Sequence, residues 1–327
     1  MYFAAKRNNL EILNLLLYEQ AIKIVPHCFE GCKNLKEITL PSSITQIPEF
    51  SFSGCSSLYK VEIPSSVTTI GESAFNECSS LISLEIPSSV TIINNGAFLS
   101  CLSLKEIKIK SKLITIESNL FCRCSSLKQI TIPSSVSSIE SFAFRGCSSL
   151  IEIVIPPSVT KIHDSAFCLC TSLKSDIIHS NVLEMGKYVF SECYSLKQIN
   201  IPFSLLAINS FAFDKCSSLE EISIPSSVTV IGSFAFSECV SLKKISIPSS
   251  VKTIGWNAFE NCSSLEQIVI PSSVTVIGAS AFTGCKSLSK ITIPSSIDLN
   301  KIGIDPKVNV EKIWCVFDLW ILYWIGI

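Results

Sequence analysis

Cysteine is the residue type whose number and spacing could most readily do chemistry in this chain. Twelve of the sixteen cysteines recur at every twenty-third position, from Cys32 and Cys55 to Cys285, with no insertion or deletion. Thiols can form disulfides, ligate zinc or act as nucleophiles. However, each of the twelve is preceded at minus three by phenylalanine and followed at plus three by leucine. Residues that repeat together twelve times indicate a core, because a unique site needs unique residues.

The same spacing argues against disulfides and zinc. If the repeats stack, equivalent cysteines lie ~4.8 Å apart with parallel Cβ vectors, which suits the torsion of a disulfide poorly. A free buried cysteine behaves as a small hydrophobic residue, so we predict a ladder of reduced, structural thiols. The four remaining cysteines are Cys28, Cys122, Cys168 and Cys315. They are too scattered for a zinc site, and the closest pairs that they form with repeated cysteines are C-x-C rather than C-x-x-C.

No group of residues suited to catalysis appears in the sequence. His27, His163 and His179 fall at different repeat positions in different repeats, so no nucleophile, base and orienting residue can be assembled. Neither a G-x-S-x-G motif nor a glycine-rich phosphate loop is present. We therefore predict a protein that is not an enzyme, without catalytic, cofactor-binding or metal-binding residues and without a cofactor.

The elements that carry these residues follow from the period. A fixed repeat of this length predicts a solenoid, because one repeat cannot bury its apolar face and must stack on its neighbours. In the repeat from 216 to 239, Ile222 and Ile224 alternate with polar residues as in a half-buried strand. Pro225 then ends the strand, and Ala235-Phe236 belong to a short segment that we expect to be 3₁₀ or irregular.

The repeat motif L-x-x-I-x-I-P-x-S-V-x-x-I-x-x-x-A-F-x-x-C resembles the BspA-like leucine-rich repeats, which occur in surface antigens of bacteria and protists. Leu219 to Pro225 carry the leucine-rich strand signature, and Ala235-Phe236-x-x-Cys239 carry the part specific to this class. The resemblance covers about residues 21–297. It implies an α/β-type leucine-rich repeat solenoid, right-handed and mostly β, with a parallel concave sheet of about twelve strands and irregular or 3₁₀ convex segments. It also implies protein-binding or adhesive roles.

The repeat array divides the chain into three predicted parts. Residues 1–20 look like the helical half of an ankyrin repeat and are interpreted as a helical cap; the alternative is a remnant of a longer ankyrin array. Residues 21–297 are the repeat array. Residues 298–327 are interpreted as a C-terminal cap or hydrophobic tail.

The segment 314–327 is the most apolar part of the chain. It contains Asp318 and is shorter than a membrane-spanning helix, which needs about 20 residues. A cap or loosely packed tail is the favoured interpretation. The alternatives are an interfacial or incomplete membrane anchor and a misread end of the coding region.

Composition bears on location and partners. The net charge is −1 and charged residues make up 16%, so nothing predicts a basic surface for nucleic acid. Residues 1–20 lack the pattern of a secretory signal, which favours a cytoplasmic protein. A cell-surface or membrane-associated location is the alternative.

Two repeats break the pattern. Lys110 replaces the turn proline in one; in the other, His179 replaces it and Asp176 takes an inward position. A buried charge is costly unless it is paired, so we expect Asp176 to turn to solvent rather than to mark a pocket.

The outward positions of the predicted strands are the candidate binding surface, because they vary while the inward positions do not. Val154 and Ile177 are neighbouring apolar residues in this surface and are the predicted hot spot. The candidate partner-binding residues are Glu152, Val154, Ile177, Gln129, Thr131, Gln198 and Asn200. The aromatic residues of the convex side are a second candidate surface: Phe50, Phe142, Phe211 and Phe234.

The predicted function is a non-catalytic scaffold that binds a protein partner on the concave sheet. The alternative is a membrane-associated adhesin or surface antigen anchored by residues 314–327.

Overall fold

The computed structural model describes residues 24–178 and 181–313, with only the backbone described at 175–177. The predicted cap at residues 1–20, His179 and the apolar segment 314–327 lie outside the described residues, as does the side chain of Asp176. The chain forms two compact units, residues 1–173 and 174–327. Each unit is a stack of coils, one for each repeat of the sequence, and each coil contains one of the repeated cysteines.

The first strand of each coil lies where the alternating pattern predicts it. In the first unit these strands are Glu37–Thr39, Lys60–Glu62, Ser83–Ile86, Glu106–Ile109 and Glu152–Ile155. In the second unit they are Ser175–Ile178, Glu221–Ser223, Lys244–Ser246, Gln267–Val269 and Lys290–Pro294. In the coils of Ile130 and Ile199 the pairing is reduced to isolated bridges, which include Thr131 to Val154 and Asn200 to Ser223.

Pairing within the units is parallel and keeps the period of the sequence. Ile38 pairs with Val61, Leu84 with Ile107, and Ile222 with Ile245, so that each residue lies opposite its equivalent in the next repeat. The prediction of a parallel leucine-rich repeat solenoid is therefore confirmed.

Most coils also contain a second, two-residue strand that the sequence analysis did not predict. In the first unit these strands are Gln46–Ile47, Thr69–Ile70, Ile92–Ile93, Thr115–Ile116, Ser138–Ile139 and Lys161–Ile162. In the second unit they are Glu184–Met185, Ala207–Ile208, Val230–Ile231, Thr253–Ile254 and Val276–Ile277. They pair in parallel from coil to coil, as Ile47 does with Ile70.

The segment before each cysteine is a run of tight turns rather than a 3₁₀ helix in the described residues. In the coil of Cys55, the amides of Phe50, Phe52 and Gly54 donate hydrogen bonds to carbonyls of the next coil, at 2.9, 2.8 and 2.7 Å. The amides of Ser53 and Cys55 instead bond three residues back, at 3.1 Å. Alternate amides thus hold neighbouring coils together, and the rest close the turns.

The core consists of residues repeated at the same position in every coil. All twelve repeated phenylalanines are essentially fully buried. Within each unit neighbouring rings stack nearly parallel: the centroids of Phe52 and Phe75 are 5.2 Å apart, and those of Phe236 and Phe259 are 5.5 Å apart. The predicted aromatic spine is confirmed within each unit.

Residues 298–313 follow the last repeat and bond to both sides of it. The amides of Ser280 and Phe282 donate to the carbonyls of Lys301 and Ile302, at 2.8 and 2.9 Å. A further strand, Asn309–Ile313, pairs in parallel with Lys290–Pro294, and its first residue lies opposite Lys290. This segment therefore satisfies backbone groups that the last repeat would otherwise leave unpaired.

Candidate functional site

The outward positions of the first strands form one exposed surface in each unit, which we call the sheet face. Along the first strands whose side chains are described, the burial alternates, with an inward residue such as Ile245 between exposed Lys244 and Ser246. Proline ends the strand because it has no amide to donate. In the coil where Lys110 replaces proline, the Lys110 amide donates to the Ile86 carbonyl at 3.0 Å, so the pairing extends by one bond.

In the first unit, four of the predicted site residues line a groove over the sheet face. Gln129, Thr131, Glu152 and Val154 are all exposed, and Val154 retains 52% of its accessible surface. The groove is also lined by residues of the coil before them: Glu106, Ile107, Lys108, Ile109 and Lys110. The structure therefore brings together the predicted residues that belong to this unit.

In the second unit, the predicted residues Gln198 and Asn200 line a separate groove. The groove continues over the next three coils, past Glu221, Ser223, Lys244, Ser246, Gln267 and Val269. The side chains in the middle of this groove, Ser223 and Ser246, are short and exposed. Ile177 belongs to the strand Ser175–Ile178, and its predicted role as an exposed apolar contact stays a prediction.

Three lysines on the sheet face of the first unit are each paired with a glutamate. Lys108 Nζ lies 3.2 Å from Glu106, and Lys110 Nζ lies 2.7 Å from Glu85. Lys60 pairs with Glu62 at 3.2 Å. All six side chains remain exposed, so each pair contributes only about 0–1 kcal/mol to stability. They neutralise charge on the coils before Val154, whereas exposed Glu152, two residues from Val154, makes no ion pair with the described residues.

The cysteines that the structure describes have no geometry suited to catalysis or metal binding. Most of the repeated thiols donate a hydrogen bond to the carbonyl of a repeated phenylalanine, as Cys147 Sγ does to Phe121 at 3.2 Å. Burial raises the pKa of the Cys147 thiol well above its ordinary value, and the neighbouring Cys124 adds to this shift. A buried, protonated thiol is neither a nucleophile nor a metal ligand. The described cysteines are buried and outside disulfides; that these thiols are reduced in solution stays a prediction.

Two of the histidines, His27 and His163, each pair with a nearby glutamate. His27 Nδ1 lies 2.8 Å from Glu30, and His163 Nε2 lies 3.5 Å from Glu140. Within residues 24–178 and 181–313, no three His, Cys, Asp or Glu residues are grouped as a metal site would require.

Three of the four aromatic residues predicted as a second surface, Phe50, Phe211 and Phe234, stack between coils. Phe211 stacks on Tyr188 with ring centroids 4.4 Å apart and on Phe234 at 4.6 Å. Phe50 stacks on His27 at 5.0 Å. Because the faces of these rings contact one another, mainly their edges are offered to a partner. Phe142 is the most exposed of the four predicted residues, at 38%.

Sequence reasoning overlooked an exposed apolar cluster beside the second strands of the second unit. Phe203 is 77% exposed, Leu206 is 66% exposed and Leu183 is 56% exposed. The sequence does mark Phe203 as unusual, because it stands at a repeat position where most repeats have serine.

A buried carboxyl was also overlooked. Asp214 is only 9% exposed, and burial raises the pKa of its carboxyl to about 6 although Lys215 opposes the shift. The hydroxyl of Ser191 donates to its Oδ2 at 3.5 Å.

This architecture, parallel coils with a leucine-rich strand and an aromatic spine, defines a leucine-rich repeat protein. The sequence model of the BspA type leucine rich repeat region matches residues 5–125, 91–219 and 184–305. The chain therefore belongs to the family of BspA-type leucine-rich repeat proteins. Domains of this kind are generally non-catalytic scaffolds that bind proteins or act as surface antigens.

Solved structures of bacterial proteins share the fold. A leucine-rich repeat protein from Bacteroides ovatus is 30% identical, with a TM-score of 0.73 over 87% of this chain and 79% of that chain. A leucine rich cell surface protein from Faecalibacterium prausnitzii is 29% identical, with a TM-score of 0.59 over 87% and 89%. A leucine-rich repeat protein from Eubacterium ventriosum is 26% identical, with a TM-score of 0.61 over 84% and 82%. No curated protein matches the chain significantly.

In the part of the chain that the structure describes, no helix has the length and apolar character needed to cross a membrane.

Proposed function

We propose that this protein is a non-catalytic scaffold that binds a protein partner on the sheet face. The observation that carries the proposal is the contrast between the two sides of each first strand. Inward residues such as Ile107, Ile153 and Ile222 are buried and nearly constant in type. Outward residues at equivalent positions are as different as Lys108, Val154 and Ser223. A constant scaffold with a varied exposed side suits recognition.

The grooves support this proposal. In the first unit, exposed Val154 lies beside Thr131, to which it is joined by a parallel bridge, and the charges of the preceding coils are paired with one another. Apolar contacts surrounded by neutralised polar residues are the typical composition of an interface centre. We therefore expect Val154 to contribute more to binding than any other outward residue of the first unit.

The test is capture of partners by the intact chain, followed by variants. Val154→Asp with Thr131→Asp should weaken binding of the captured partner by at least about 2 kcal/mol, the usual size of a hot-spot effect. Calorimetry measures the affinity and circular dichroism the melting temperature, which should not fall because both side chains are exposed.

The matched control is Thr68→Asp with Thr91→Asp, an equally radical pair beside the second strands of the same unit. These threonines are exposed, and their hydroxyls donate to the Thr45 and Thr68 carbonyls, at 3.1 and 3.4 Å. If the control pair abolishes binding and the first pair does not, the partner is bound elsewhere than on the sheet face.

A second candidate function, that of a cell-surface adhesin or antigen, is favoured by the similarity to the Faecalibacterium cell surface protein. Under this proposal, residues 314–327 anchor the chain. Pelleting with membranes that resists carbonate and requires residues 314–327 would support it. Recovery of the full-length chain in the soluble cytoplasmic fraction would instead support the location predicted from residues 1–20.

A further inference from the structure

Four lysines of the second unit surround one depression at the margin of the sheet face. Three coils supply these lysines, and one of the three coils supplies two of them. The residues that line the depression are Lys174, Lys197, Gln198, Glu220, Glu221, Lys243 and Lys244. All seven side chains are exposed, so their charges are available to a ligand.

These lysines differ from those on the sheet face of the first unit. Lys60, Lys108 and Lys110 are each paired with a glutamate at 3.2 Å or less. Among the described residues, the four lysines of the depression make no ion pair. The depression therefore holds four positive and two negative charges that do not satisfy one another.

The backbone fixes the order of these charges. The Lys197 amide donates to the Lys174 carbonyl at 3.1 Å, the Glu220 amide to Lys197 at 3.3 Å, and the Lys243 amide to Glu220 at 3.2 Å. Equivalent positions in bonded coils are ~4.8 Å apart. Glu221 and Lys244 follow Glu220 and Lys243 in the chain, so the charges run as two positive, two negative and two positive along the stack.

We propose that this depression binds an extended peptide with an acidic, a basic and an acidic residue at alternate positions. Alternate side chains of an extended peptide repeat every ~6.7 Å, which lets one acid meet Lys174 and Lys197 and the other meet Lys243 and Lys244. The central base meets Glu220 and Glu221. This inference rests on the proposed function and specifies the chemistry of the partner.

The two glutamates argue against a uniform polyanion. A nucleic acid or a sulfated glycan would place negative charge against Glu220 and Glu221, and like charges brought together at an interface are strongly unfavourable. A peptide of mixed charge avoids this repulsion.

The test uses labelled peptides and the full-length chain, measured by fluorescence anisotropy. The probes are Asp-Ser-Lys-Ser-Asp, its charge-reversed form Lys-Ser-Asp-Ser-Lys, and the all-acidic Asp-Ser-Asp-Ser-Asp. We expect the first to bind roughly tenfold more tightly than either of the others, because only its charges match the depression in both sign and order. Binding should weaken when salt is raised from about 50 to about 300 mM, since exposed charges are screened.

The variant Lys197→Glu with Lys243→Glu should reduce binding of Asp-Ser-Lys-Ser-Asp by roughly tenfold or more. Its control, Lys252→Glu with Lys307→Glu, makes the same change in net charge at exposed positions of the same unit outside the depression, and should have little effect. Equal losses in the two variants would overturn the proposal. So would tighter binding of the all-acidic peptide or of a heparin oligosaccharide, which would identify a site for polyanions.

The partner captured on the sheet face separates the two proposals. If that partner still binds Lys197→Glu with Lys243→Glu and the first peptide does not bind the native chain, the charge pattern is wrong and the scaffold proposal stands. If no partner depends on the sheet face, the scaffold proposal fails, whatever the peptides do.

Discussion

At the scale of single residues, most of the repeated cysteines both fill the core and donate one directed hydrogen bond. The Phe121 carbonyl accepts the amide of Cys124 at 3.0 Å and the thiol of Cys147 at 3.2 Å. A carbonyl oxygen has two lone pairs, so one phenylalanine carbonyl joins cysteines of two coils. This double acceptance accounts for the fixed spacing between phenylalanine and cysteine.

Replacing one of these cysteines should therefore destabilise the fold without unfolding it. We expect Cys147→Ala to lower the free energy of unfolding by about 1–3 kcal/mol, through lost sulfur contacts and a small cavity. Urea unfolding measures this loss.

Alkylation tests the state of the same thiols. In the native protein we expect iodoacetamide to leave Cys147 unlabelled because it is buried and protonated; after denaturation, mass spectrometry should find it labelled. Disulfide-linked peptides from neighbouring coils would contradict the assignment.

Two positions of the repeat have a backbone conformation that the sequence did not predict. The residues one and five positions before each repeated cysteine all have positive φ, between 50° and 77°. Only a few are glycine; Leu169 and Phe142 are among the others. Left-handed backbone costs an L-residue about 1–2 kcal/mol, and the amides bonded to the next coil offset that cost. Because these positions share a backbone conformation and not a residue type, no pattern in the sequence predicts them.

At the scale of elements, the coil is held by bonds that run in opposite directions on its two sides. In the turn segment, the Phe75 amide donates forward to the Ala97 carbonyl at 2.8 Å. Beside the second strands, the Thr91 amide donates backward to Thr68 at 2.8 Å. Within each unit, most coils thus present the same backbone donors and acceptors to their neighbours, which makes those coils nearly interchangeable.

Deletion of one complete coil should therefore be tolerated. Removing residues 217–239 preserves the register of every remaining pair, and we expect cooperative unfolding to persist with a slightly lower midpoint because one stacking interface is lost. Removing residues 217–228 breaks the register and should abolish cooperative unfolding. Circular dichroism with urea distinguishes the two, and equal tolerance of both deletions would contradict the solenoid.

The two strands of each coil were not equally predictable. The first strand has up to four residues of alternating burial, as in Ser83–Ile86, and alternation over that length is visible in the sequence. The second strand, as in Thr69–Ile70, is too short for a period of two to appear. The exposed candidate residues follow from the first strand and were predicted. The absence of ion pairs at the four lysines of the depression was not predicted, because ion pairing depends on where the ends of long side chains lie.

At the scale of the whole molecule, many thiols are kept protonated together. Burial raises the pKa of Cys101, Cys124 and Cys216 well above the ordinary value, and neighbouring cysteines in the stack add to the shift. Nearer the ends of the array, burial raises the pKa of the Cys55 and Cys285 thiols to about 12. In the unfolded chain the same thiols ionise near their ordinary pKa.

Stability should therefore fall steeply in alkali. A group whose folded pKa is raised contributes stability that is present below the unfolded pKa and lost as pH rises toward the folded pKa. Above about pH 8.5, each buried thiol should lower the free energy of unfolding by about 1.4 kcal/mol per pH unit, and these losses add over the array. We expect urea midpoints, measured under reducing conditions, to fall sharply between about pH 8 and pH 9.5.

Cys147→Ala provides the control for this dependence. Its free energy of unfolding should fall less steeply with pH, by the contribution of one thiol. A midpoint that does not change over this pH range would show that the thiols ionise alike in both states.

The backbone hydrogen bonds that join each coil to its neighbours have a mechanical consequence. If the two ends are pulled apart, an end coil can detach while the bonds of the coils behind it stay intact. Each detachment frees one repeat, or about 80 Å of extended chain. Stretching a single molecule of this protein should then give a sawtooth of evenly spaced force peaks, so that the spacing of its cysteines could be read as a length.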